Sequence, residues 1–237
     1  MKCILVGRGE VGSAVYEVFS PHHLIDTYDI RDVGKPVGTY DVLLVAIPYS
    51  PTFVEQVNAY RTEWKVRCTI IFSTVAIGTT RRIPGAVHSP VEGKHPELAR
   101  SMRLMPRWVG GKNDTALRFF RAARIEPIVR HKPETTELIK IESTTTYGVN
   151  IENARRIAAN CAVYGVDYAD VKEFNRHYNR LYANLGLPQY SRYILDPPQG
   201  NIKGHCILPN AKLLREACPH PFLDEMLRDH EEGDPPC

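Results

Sequence analysis

The sequence predicts an α/β fold in which a doubly wound parallel sheet is followed by a long helix and a small helical segment. Three observations carry this prediction. The chain opens on a buried-strand pattern, Lys2-Cys3-Ile4-Leu5-Val6, which runs through Gly7-Arg8-Gly9-Glu10-Val11-Gly12 into an amphipathic stretch ending at Phe19. Apolar strand-like runs then alternate with helical ones as far as Arg130, the pattern of parallel strands joined by crossover helices. From Lys132 the alternation stops, and apolar residues recur at helical spacing from Leu138 to Cys161.

The glycines fall at a strand-to-helix turn, which makes the opening a Rossmann-type dinucleotide fingerprint. Gly7 permits the tight turn, Gly9 lets the backbone approach a pyrophosphate, and Gly12 lets the helix Glu10 to Phe19 pack closely on the strand. The helix N-terminus, with Glu10 and Val11 in its first turn, faces the anion. A second strand, Leu24 to Tyr28, ends in Asp29 at about the ~20-residue spacing of the ribose-binding carboxylate. A carboxylate there suits a free ribose 2′-OH, so NAD is expected as the cofactor. The third strand, Asp41 to Ile47, is closed by Pro48, and a helix from about Thr52 to Tyr60 follows. Ile47 and Pro48 are therefore placed beside the cofactor. Lys65 to Phe72 gives a fourth strand, and the hydroxyl-rich loop Ser73 to Thr80 leaves its carboxyl end, where ligands bind in such sheets. Ile83 to His88 and Arg107 to Gly111 read as further strands, Asn113 to Arg124 as a helix, and Pro127 to Arg130 as the last strand.

The second part of the chain reads as helical. A helix from Glu134 to about Tyr164 would be ~45 Å long at ~1.5 Å per residue, longer than one small core needs, which predicts a homodimer built on its apolar stripe. A helix from Tyr168 to about Leu185, a proline- and glycine-bearing loop from Asp196 to Cys206, a helix from Asn210 to Ala217 and a mobile polar tail complete the expectation. The domains are accordingly expected at 1–132, the dinucleotide-binding domain, and 133–237, a helical segment carrying the cysteine loop.

Composition narrows the function. The 237 residues are 43% hydrophobic, with a net charge of +3 spread along the chain. No basic arm argues for nucleic acid, and the longest apolar run is far short of the ~20 residues of a membrane span. Six cysteines without metal-ligand spacing, and no signal-peptide pattern, point to free thiols in a reducing cytoplasm. No metal site is expected, since His22-His23 and His88 with His95 lack partnering spacing.

Several motifs in one order resemble the UDP-glucose/GDP-mannose dehydrogenase family over most of the chain to about residue 215. The family loop S-T-V-P-P-G-T-T reads here Ser73-Thr74-Val75-Ala76-Ile77-Gly78-Thr79-Thr80. Its S-P-E-F-x-x-E-G is shortened to Ser89-Pro90-Val91-Glu92-Gly93, its T-A-E-L-x-K stands as Thr136-Glu137-Leu138-Ile139-Lys140, and its G-G-x-C-x-P-K-D as Lys203-Gly204-His205-Cys206-Ile207-Leu208-Pro209-Asn210. Thr144 stands where the family has asparagine, and Pro209-Asn210 where it has lysine and aspartate. Members continue into a nucleotide-sugar-binding domain, so a compact relative without that third domain is expected.

The resemblance implies oxidation of a sugar or nucleotide-sugar primary alcohol to a carboxylate. Cys206 would add to the intermediate aldehyde and carry the acyl group as a thioester. Lys140 would stabilise the alkoxide, Glu92 would order the hydrolytic water, and Thr74 would hold that water or, with Ser73, the nicotinamide amide. Thr144, Gly204, His205 and Asn210 are the implied substrate contacts. Two other readings stay open. One is a two-electron dehydrogenase of the 3-hydroxyacid or 6-phosphogluconate kind, with Lys140 catalytic and Cys206 incidental; the other is a catalytically degenerate NAD-binding protein.

Overall fold

Buried parallel strands read as continuous apolar runs because both faces of the sheet are covered, and those runs become the strands here. The computed structural model describes residues 1–94, 96–198, 200–202 and 206–231. Strand β1 (Lys2–Val6) pairs in parallel with β2 (Leu24–Tyr28) on one side and β3 (Val42–Val45) on the other. The sheet continues in parallel through β4 (Cys68–Ile71) and β5 (Ala86–His88). Strand β6 (Trp108–Gly110) runs antiparallel to β5 through His88 and Gly110, and β7 (Ile128–Arg130) is parallel to β6. The order is β2-β1-β3-β4-β5-β6-β7. Since β2 and β3 lie on opposite sides of β1, the chain reverses direction across the sheet there, which opens a crevice at the carboxyl ends of β1 and β3.

The double winding is visible in β1 alone. Cys3 and Leu5 enter one core with Val15 and Phe19 of α1 (Glu10–Phe19) and Phe119 and Phe120 of α4 (Asp114–Ala122). Ile4 and Val6 enter the other, with Phe53 and Val57 of α2 (Phe53–Glu63) and Trp64. Helix α4 starts where Asn113 accepts the Thr115 and Ala116 N–H groups at 3.0 and 3.3 Å. Trp108 on β6 is half-buried and carries the Arg130 guanidinium 4.6 Å from its ring.

The chain divides into two units between Ile141 and Glu142, inside the long helix α5 (Pro133–Tyr164). The second unit holds α6 (Tyr168–Asn184), α7 (Ile207–Ala217) and α8 (Pro221–Glu231) beside the rest of α5. Within it, a Cβ at Gly148 would come within 2.5 Å of the Ile207 side chain, so α5 and α7 approach closely through that glycine. Asp167 caps α6 by accepting the Ala169 N–H at 2.8 Å. None of the residues of α6 is buried.

Three expectations change. A helix α3 (Leu98–Leu104) stands where none was predicted; it is only seven residues long, too short for its buried Leu98, Ala99 and Met102 to display a period. The polar tail contains α8, which begins on a proline and buries Leu223, Met226 and Leu227 at helical spacing among many charges. Helix α7 starts at Ile207 rather than Asn210, because Pro209 in a first turn forfeits no intrahelical bond. The stretch 232–237, which holds most of the expected mobile tail, lies outside the described residues.

Candidate active site

The glycine turn separates what the fold needs from what a ligand needs. Gly7 has φ +94°, and a Cβ there would lie 2.2 Å from the Ala46 carbonyl oxygen. A Cβ at Gly12 would lie 2.0 Å from the carbonyl oxygen of Gly7, so both positions are closed to any side chain by the backbone itself. At Gly9 a Cβ would meet nothing within 4 Å. Gly9 also caps α1 without a side chain, leaving the helix N-terminus open, with Glu10 exposed and Val11 half-buried in its first turn. A backbone cradle with unfilled space over a helix N-terminus fits the pyrophosphate of a dinucleotide.

Asp29 sits buried at the end of β2, tied to that cradle. Its Oδ2 accepts the Arg8 N–H at 3.0 Å, and its Oδ1 accepts Arg31 Nε at 2.7 Å and the Arg31 N–H at 3.3 Å. The Arg31 guanidinium, with the Arg8 amide second, holds the carboxyl well below the usual carboxylate range. Ile47 is half-buried beside the second core and Pro48 is exposed, both just past β3. A cavity of about 690 Å³ opens along the free edge of β2, with Arg8, Ser13, Tyr16, Asp26 and Tyr40 in its walls.

The first turns of α5 bind the loops that leave β4 and β5. Glu137 is fully buried, and its two carboxylate oxygens accept the Gly78 N–H at 2.6 Å and the Thr80 N–H at 2.8 Å. Burial pushes its carboxyl up, against those hydrogen bonds. His88, also fully buried, meets the Thr136 hydroxyl at 2.9 Å and the Ser73 carbonyl at 3.1 Å. A carbonyl only accepts, so the proton sits on Nε2 and Nδ1 accepts from Thr136. Burial lowers the His88 pKa to about 4, so the ring is neutral. Ser73 is buried next to this ring and Thr74 is half-buried.

One helical turn further along α5, Lys140 Nζ donates to the Val91 carbonyl at 2.8 Å and lies 3.4 Å from Glu92 Oε2. Lys140 and Glu92 are thus an ion pair, with side chains 14% and 22% exposed. Arg107 is buried close by; burial lowers its pKa and the Glu92 charge opposes that shift. Arg107 Nε and Nη1 and Glu92 Oε1 are buried without a hydrogen-bond partner. Glu137, Thr136, His88 and Arg107 were given no role from the sequence. A signal was present in the carboxylate one residue before an apolar helical position, but its partners lie 57 and 59 residues away.

In the second unit, Thr144 is half-buried on α5 and Cys206 is exposed immediately before α7. The Cys206 carbonyl accepts the Asn210 N–H at 3.2 Å, and Asn210 is buried in the helix. Gly204 and His205 lie outside the described residues. Burial pushes the Cys3 and Cys68 thiols up to about 12, which makes them poor nucleophiles. Among the described residues, no helix is long and apolar enough to cross a membrane.

No protein-family model and no curated protein matches this sequence. Solved structures do match in fold. A UDP-D-ManNAc dehydrogenase from Pyrococcus horikoshii superposes with a TM-score of 0.78 at 18% identity, over 98% of this chain and 68% of that one. The UDP-N-acetyl-mannosamine dehydrogenase Cap5O from Staphylococcus aureus gives 0.75 at 16% identity, over 98% and 68%. A 3-hydroxyisobutyrate dehydrogenase from Mycobacterium tuberculosis gives 0.69 at 13% identity, over 96% of this chain and 91% of that one. The fold of this chain is the fold of these Rossmann-type dehydrogenases.

Proposed function

We propose that this chain is an NAD-dependent dehydrogenase that oxidises the primary alcohol of a sugar or nucleotide sugar to the carboxylate, working as a homodimer in the cytoplasm. One observation carries the reading. Four loops leave the same carboxyl edge of the parallel strands: the glycine turn after β1, the Pro48 loop after β3, the Ser73 loop after β4 and the Glu92 loop after β5, and Lys140 is fastened to the last of them. Dinucleotide and substrate chemistry meets at such an edge.

NAD, when bound, supplies the hydride acceptor. The turn at Gly7, Gly9 and Gly12, with Glu10 and Val11, takes its pyrophosphate, Asp29 its ribose diol, and Ile47, Pro48, Ser73 and Thr74 line the nicotinamide side. Lys140 puts a fixed ammonium against the developing alkoxide, which lowers the barrier directly. Glu92, held by Lys140, accepts a proton from the water that ends the reaction. The Cys206 sulfur would add to the aldehyde carbon to form a thiohemiacetal; loss of its hydride to a second NAD would leave an acyl group bound to Cys206 as a thioester, and water would cleave that bond to release the acid and return the thiol. Thr144, Gly204, His205 and Asn210 are proposed as substrate contacts.

A second reading, a two-electron 3-hydroxyacid-type dehydrogenase, is supported by the fold shared with the 3-hydroxyisobutyrate dehydrogenase at a TM-score of 0.69. The test is a panel of UDP-sugars, free sugars and 3-hydroxy acids offered with NAD, followed by NADH formation. UDP-sugar turnover supports the first reading, hydroxy-acid turnover alone the second, and no turnover with tight NAD binding removes both.

A further inference from the structure

Asp29 is not a lone negative charge. Arg31 lies on its Oδ1, and the Arg8 amide on its Oδ2. Asp32 closes the ring, one oxygen accepting the Asp29 N–H at 2.8 Å and the other the Arg8 guanidinium. Two arginines and two aspartates cancel at neutral pH. The repulsion by which a carboxylate at this position rejects a 2′-phosphate is therefore offset by two cations within the same few ångströms. Both cations are reachable, since the Arg31 and Arg8 side chains are 75% and 45% exposed. Arg8 also borders the open cavity along β2, so its ion pair with Asp32 is not locked by packing.

We propose that Arg8 and Arg31 form a latent 2′-phosphate site around Asp29, which makes the preference for NAD over NADP narrow and gives Arg31 control of it. This rests on the dinucleotide reading above. A ribose diol donates to Asp29, whose carboxylate has about four acceptor positions and can keep Arg31 at the same time. A 2′-phosphate draws the Arg31 fork off Asp29 and the Arg8 fork off Asp32, each planar guanidinium matching two phosphate oxygens. The cost is two ion pairs whose arginines are exposed: Arg8–Asp32, which is individually weak, and Arg31–Asp29, the stronger of the two because its aspartate is buried.

The experiment titrates NADH and NADPH separately into the full chain, read by the fluorescence of the reduced nicotinamide, for the wild type, Arg31→Ala, Arg8→Ala and Asp29→Asn. The wild type is expected to favour NADH by less than about tenfold, and Arg31→Ala to widen that ratio by about tenfold through weaker NADPH binding. Asp29→Asn keeps an acceptor for the Arg8 N–H, removes the opposing charge, and should reverse the preference. Arg31 is a surface residue, so its variant tests the ratio without a folding defect. A wild-type ratio above about tenfold, or a ratio unmoved by Arg31→Ala, overturns the inference while leaving the dinucleotide reading standing. Binding of neither cofactor to the wild type removes that reading and the inference with it.

Discussion

His88 shows how one side chain ties the loop after β4 to the start of α5 and makes that tie sensitive to pH. The ring is neutral and fully enclosed, its pKa lowered from 6.5 to about 4 chiefly by burial. A base with a lowered folded-state pKa stabilises the protein above its unfolded value and loses that contribution as pH falls through the folded one. The His88 contribution is thus complete above about pH 6.5 and disappears toward pH 4, a loss of about 3 kcal/mol. Urea unfolding at a series of pH values should show this decline, and His88→Gln, less stable at neutral pH, should show a shallower one. Equal slopes for the two proteins would mean that other groups carry the acid sensitivity.

At the scale of elements, the glycine turn gives a sharper test than either cofactor or fold alone. Gly12→Ala forces a Cβ to within 2.0 Å of the Gly7 carbonyl oxygen and should cost at least about 2 kcal/mol of stability. Gly9→Ala meets no atom within 4 Å and loses only a helix-capping preference, so its stability should stay within about 1 kcal/mol of wild type. NAD affinity should nevertheless fall in Gly9→Ala, because the methyl group occupies the space left for the pyrophosphate. Thermal unfolding and NAD titration on the two variants check this; unchanged NAD affinity in Gly9→Ala would remove the phosphate from this turn. The tight turn at Gly7 and the close packing at Gly12 were legible in the sequence because spacing within a dozen residues encodes them. The contacts of Glu137 and His88 were not, because no local pattern links a helix start to loops some 48 to 59 residues earlier. The same contrast separates the strands, whose continuous apolar runs announced them, from α3 and α8, whose short apolar faces are diluted by charge.

For the whole molecule, the exposed aromatic and aliphatic side chains of the second unit argue for a partner surface. Leu181 on α6 is 53% exposed and Phe174 59%, and Tyr164 at the end of α5 is 82% exposed. An isologous pairing on these helices would cover them. Sedimentation at micromolar concentration should find a dimer, and Leu181→Glu should give a folded monomer with an unchanged circular dichroism spectrum. A monomeric wild type would remove the proposal. Ile151, half-buried on α5, is the less clean probe, since Ile151→Glu can dissociate the dimer or unfold the chain.

The most direct measurement is the number of NADH formed per molecule of substrate oxidised, by the wild type and by Cys206→Ala. On the proposed route the first oxidation uses Lys140 and a proton acceptor but no thiol; a free aldehyde must gain a nucleophile before it can be oxidised again. Cys3 and Cys68, buried with their thiols pushed up to about 12, serve as controls that should not alter the count when replaced. The thioester route predicts two NADH and a carboxylate from the wild type, and one NADH with accumulated aldehyde from Cys206→Ala. Two NADH and an unchanged rate of acid formation from Cys206→Ala would contradict it.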